Sequence, residues 1–125
     1  MASENIALMA HLMRRAGFGA SRDELEARVA VGYEATVEEL LDTQEQEELN
    51  RDEMQRFHPW TWRPGTLPGM GAAEWLHDLV NTKRPLEEKM SLFWHGIFAT
   101  GVSKVDHYDD VMDMIVKFRK NGLGD

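Results

Sequence analysis

The chain has 125 residues, enough for one small domain or for a portion of a larger one. Fourteen lysines and arginines face 22 acids for a formal net charge of −8, and 42% hydrophobic with 29% charged residues is a globular mixture, not a disordered one. The absence of cysteine excludes disulfides, thiolate catalysis and cysteine-held zinc or iron–sulfur centres.

Ser3 reads as the cap of a first helix, with Glu4 in its first turn. Ile6, Met9, Met13 and Ala16 then recur at helical spacing, with Leu8 and Leu12 on a neighbouring face. Arg14 and Arg15 oppose the helix dipole in the last turn, and Gly17 supplies a left-handed stop onto which Phe18 folds back. Ser21-Arg22-Asp23-Glu24 is a capping box. It opens a short helix that turns Leu25 and Val29 inward and stops at Gly32. A third helix from about Glu34 carries Val37, Leu40 and Leu41 and decays beyond Thr43. Between Ser21 and Phe57, 12 acids meet four bases. Such a stretch repels phosphate backbones, so no nucleic-acid partner is expected. It is either a solvated face or a docking face for a basic partner.

Residues 57–71 change character. Pro59, Pro64 and Pro68 with Gly65, Gly69 and Gly71 predict an irregular internal loop. Trp60 and Trp62 would pin that loop to the helices, or else offer a stacking platform for a sugar or base. A helix from about Ala72 to Asn81 is expected to bury Trp75, Leu76 and Leu79. Pro85 marks the next start, followed by Leu86, Met90, Phe93 and Ile97 as a core stripe, with Trp94 and Phe98 beside it. A turn near Gly101 leads to a last helix from about Asp106, bearing Tyr108, Val111, Met112, Ile115 and Phe118 and stopped by Gly122. No strand-like alternation occurs. The expected fold is all-α, an irregular bundle of about six helices with one Pro/Gly/Trp-rich loop.

Chemistry is sparse. His11, His58, His77, His95 and His107 form no HExxH and no pair three or four residues apart, so no metal and no cofactor is expected. His77 reads as surface, His58 as loop and His107 as the start of a helix. At about 100° per residue, Glu88, Ser91 and His95 share the helix face opposite the apolar stripe and form the candidate polar face. Glu88 lies about 10.5 Å along the axis from His95, too far for one ion without help from another segment. No phosphate-binding glycine loop and no nucleophile elbow occurs, and no catalytic residue can be assigned. No apolar run reaches the roughly 20 residues of a membrane span, and no export signal is visible. The expectation is therefore no membrane partner and, by default, a cytoplasmic location.

Two stretches, HLMRRAGFGA from His11 to Ala20 and TKRPLEEKMSLFWHGIFAT from Thr82 to Thr100, are specific when taken together. They resemble the opening of a large bacterial family catalogued as domain of unknown function 1800. Its members carry an "HLLRRAGFG"-like helix end and then an "RPLxEKMxxFWHxHFA"-like helix. The matching positions are Arg14, Arg15, Gly17, Phe18, Gly19, Arg84, Pro85, Trp94 and His95. Ile97 departs from the pattern, since the family commonly places a second histidine there. Members run to several hundred residues, so the resemblance implies that residues 1–125 are the N-terminal helical portion of a larger, here incomplete, domain. Such a portion would be a scaffold or interaction element without catalysis of its own. Its partners would be the C-terminal part of the same protein or a second copy. The alternative is an incomplete metal-dependent or hydrolytic enzyme, with His95 supplying one direct ligand or acid–base group.

Overall fold

The computed structural model describes residues 2–43, 46, 47, 49, 50, 56, 68–105 and 108–124. Among them are six α-helices and no strand: α1 (Ala2–Ala16), α2 (Arg22–Val31), α3 (Tyr33–Leu41), α4 (Pro68–Asn81), α5 (Pro85–Ile97) and α6 (Tyr108–Asn121). A 3-10 turn, Val102–Lys104, joins the last two. The fold is all-α. Residues 57–67, with His58, Trp60 and Trp62, lie outside the described residues, as does His107.

Local chemistry sets most boundaries. Ser21 caps α2, its hydroxyl accepting from the Glu24 N–H at 3.3 Å. Gly32 takes φ 109, donates to the Arg28 carbonyl at 2.9 Å and turns the chain from α2 into α3. Only glycine adopts that conformation without strain. Two expected boundaries move. α1 begins at Ala2, so Ser3 stands inside the helix rather than capping it. α4 begins at Pro68, inside the stretch read as loop, because proline in a first turn lacks only a donor that the helix would leave unused. The positive φ after α1 belongs to Gly19 (φ 100), not to Gly17. Gly19 donates to the Met13 carbonyl at 3.1 Å, satisfying one of the helix's last acceptors.

The apolar core joins α1, α2 and α3 through Met9, Met13, Leu25 and Leu40, with Leu86 of α5 packed against it. α5 then packs on α6, where Val111 and Ile115 are buried, and on α4. The stripe expected on α5 is only half used. Leu86 meets the core of α1, but Phe93 is 53% exposed and Ile97 55%. The opposite face points inward instead, with Glu88 5% exposed and Ser91 0%. The reason is where the neighbours lie. α1 meets α5 at its start, where Gly17 sits against Pro85, while α4 and α6 flank the polar side. α4 shows a similar exchange, with Leu76 exposed and Asp78 buried.

Candidate functional site

The buried polar groups converge where α4, α5 and α6 meet. Asp78 comes from α4, Glu88 and Ser91 from α5, and Arg119 from α6. Arg119 Nη2 donates to Asp78 Oδ2 at 2.7 Å, and Arg119 Nε lies 2.5 Å from Glu88 Oε1. The latter is a close ion pair in which the N–H lies off the line to the oxygen. The other oxygen of Glu88 accepts from the Trp75 indole N–H at 3.2 Å. One guanidinium thus bridges two carboxylates on two different helices. Side-chain exposures of 4%, 7% and 15% for Asp78, Glu88 and Arg119 put this exchange largely out of water, where each charge depends on the others.

Around this bridge, Ser91 Oγ donates to the Ile115 carbonyl at 3.5 Å, a long bond that ties α5 to α6. His95 presents its ring to Trp75 in an edge-on contact, centroids 5.1 Å apart. Its Nδ1 is buried with no hydrogen-bond partner among the described residues. His77 is partly exposed rather than a plain surface residue, with Nδ1 buried and 3.8 Å from Asp78 Oδ1. Glu88, Ser91 and His95 therefore share the inner face of α5, but His95 meets an indole while Glu88 meets a guanidinium. A cleft of about 470 Å³ opens over Asp78, Glu88 and Arg119, with Arg84, Glu87 and Glu47 on its walls. Among the described residues no three histidines, aspartates or glutamates are grouped to hold a metal ion.

Asp78, Arg119 and Trp75 belong to the network, and sequence reasoning left the two charged ones unassigned. The signal was available in the helical angles. Asp78 falls about 60° from Trp75 on α4, and Arg119 about 40° from Ile115 on α6.

The motif residues do a different job: they join segments. Gly17 is buried, and a Cβ there would stand 3.0 Å from Pro85 Cβ and 3.3 Å from the Met13 carbonyl oxygen. Lys89 Nζ lies 5.1 Å from the centre of the Phe18 ring. Arg84 donates from Nε and Nη2 to the Gln46 carbonyl at 2.9 and 2.7 Å. Trp94 donates to the Gly122 carbonyl at 3.0 Å and so anchors the end of α6. Arg14 and Arg15 are exposed. Gly17→Ala should therefore cost about 1–2 kcal/mol, since α1 and α5 must part by a few tenths of an ångström. Gly96→Ala, where a Cβ meets nothing within 4 Å, should gain about 0.5–1 kcal/mol. Urea unfolding of the two variants checks both signs.

Residues 11–125 match the model of a family described as protein of unknown function, DUF1800. No curated protein and no solved structure matches the chain.

Proposed function

We propose that this chain, which belongs to the DUF1800 family, is a helical scaffold and interaction portion of a larger bacterial protein and carries no catalysis of its own. The observation that supports this reading is the pairing of both Glu88 oxygens, one with Arg119 and the other with Trp75, while Arg119 also holds Asp78. A catalytic carboxylate or a metal ligand needs a free oxygen aimed at substrate or ion. Here both Glu88 oxygens are committed to other helices, so their chemistry is spent on holding α4, α5 and α6 together. The motif residues add to this, because Gly17, Pro85, Arg84 and Trp94 each bind one segment to another. Among the described residues no helix is long and apolar enough to cross a membrane. The acidic surface of α2 and α3 is expected to stay clear of nucleic acid.

A second reading, the incomplete metal-dependent or hydrolytic enzyme, draws on the buried, partnerless Nδ1 of His95. The two readings part on one experiment. The chain, purified without added metal, is analysed for zinc and iron and assayed on simple ester and phosphate substrates. The scaffold reading expects neither metal nor turnover. Stoichiometric metal, or turnover abolished by His95→Ala in a variant that melts like the parent, would replace it with the enzyme reading.

A further inference from the structure

Asn121 ends α6 and Gly122 follows it, and glycine stands there for a reason of packing. A Cβ at position 122 would run into the Phe118 carbonyl oxygen and lie 3.2 Å from Trp94 Cδ1. The first of these is a backbone atom of the same helix end, so no side chain fits. The demand is for room and not for a positive φ, which among the described glycines only Gly19 and Gly32 adopt. That choice has a chemical consequence for the neighbour. A glycine nitrogen is the least shielded of all backbone nitrogens, and the side-chain amide carbon of a preceding asparagine lies within reach of a five-membered ring. The chain's other asparagines, Asn5, Asn50 and Asn81, precede Ile6, Arg51 and Thr82, whose Cβ atoms crowd the same approach.

We propose that Asn121 is a deamidation site and that the last turn of α6 sets its rate. The Gly122 nitrogen loses its proton to hydroxide and attacks Cγ of Asn121. The N–Cγ bond forms, the Cγ–Nδ2 bond breaks, and Nδ2 leaves as ammonia after taking a proton from water. The product is a succinimide. Water then adds to one of its two carbonyls and opens the ring, leaving an aspartyl or an isoaspartyl residue at position 121. Water is the only co-reactant, and nothing is oxidised or reduced.

In the folded chain three hydrogen bonds oppose the first step. The Gly122 N–H donates to the Phe118 carbonyl at 2.7 Å, which holds the proton that the nitrogen must lose. Asn121 Nδ2 donates to the Lys117 carbonyl at 2.8 Å, drawing the side chain back along the helix and away from the nitrogen that follows it. Trp94 Nε1 donates to the Gly122 carbonyl at 3.0 Å and fastens the turn to α5. Asn121 is nonetheless exposed, and helix ends open more readily than helix centres. Cyclisation therefore waits for that turn to open. It also runs one way. The isoaspartyl form lengthens the backbone by one carbon just ahead of the carbonyl that Trp94 holds, and either product adds a negative charge at the negative end of the helix dipole. The modified chain thus loses the anchor that had slowed its modification.

The test is incubation of the whole chain at mildly alkaline pH, native and in urea, with peptide mapping by mass spectrometry and release of ammonia as readouts. In urea Asn121 should convert ahead of the other three asparagines. Its native rate should be at least about tenfold lower, since opening breaks several hydrogen bonds, each worth a few-fold. Trp94→Phe keeps an aromatic ring but removes the donor. It should speed native conversion about three- to tenfold, leave the rate in urea unchanged and raise amide exchange only in the last turn of α6. Conversion of Asn121 in urea no faster than that of Asn81 overturns the site. Equal native and urea rates, or a native Trp94→Phe rate equal to the parent's, overturn the control by α6. The parent's native-to-urea ratio needs no variant, so it decides even where Trp94→Phe loosens the whole bundle. None of these outcomes touches the scaffold reading, which falls only on metal or turnover.

Discussion

Arg119→Met is expected to lower the stability of the chain by about 3–5 kcal/mol, the largest loss of any single substitution considered. The reason is asymmetry. Removing the guanidinium leaves Asp78 and Glu88 buried on facing helices with their shared cation gone. The loss is therefore the cost of leaving two carboxylates buried without their counter-charge, not the intrinsic worth of the bridge. Replacing the network as a whole tests that distinction. A variant with Asp78→Leu, Glu88→Met, Arg119→Met and Trp75→Phe removes the three charges together with the indole N–H from which Glu88 accepts. Apolar replacement of a complete buried ionic set is often neutral or better. The fourfold variant should thus recover most of the stability that the single variant loses, as read from the midpoint of urea unfolding at unchanged slope. If the single variant unfolds with the parent midpoint, the network lies too close to water to organise the three helices.

How much of this was legible in the sequence depended on whether a signal was local. The serine cap at Ser21, the glycine stop at Gly32 and the proline start at Pro85 act within one turn and stand where their chemistry put them, although the Glu24 carboxylate pairs with Arg28 and does not close the expected box. The core residues Met9, Met13, Leu25 and Leu40 were equally legible, since α1, α2 and α3 follow one another and each offers a short apolar face. α5 failed the same reading because its periodicity told which residues share a face but not which face has neighbours. Leu86, Met90, Phe93 and Ile97 do form one stripe. Whether it is core depends on how far α1 extends along it, and that is a property of the assembly. The polar network was hidden for a related reason. Asp78 and Arg119 are 41 residues apart, and each alone reads as a surface charge. Glu88, Ser91 and His95 were grouped by angle, yet what each one meets comes from α4 and α6.

The orientation of α5 yields the second large effect, through two substitutions of opposite character. Ser91 is fully buried against the Ile115 carbonyl, so Ser91→Leu forces extra volume between α5 and α6 and removes a hydroxyl donor. Its expected cost is about 1–3 kcal/mol, the range for overpacking a closed contact. Ile97 stands more than half exposed at the other side of the helix, and Ile97→Lys should change stability by no more than about 0.5 kcal/mol. Substitution by pattern alone would rank them the other way, because leucine restores apolarity and lysine interrupts a stripe. In urea unfolding, a near-neutral Ser91→Leu together with a costly Ile97→Lys would mean that α5 is turned by half a revolution. Phe93 and Ile97 would then line the core, Glu88 would face water, and the ionic network would be lost with it.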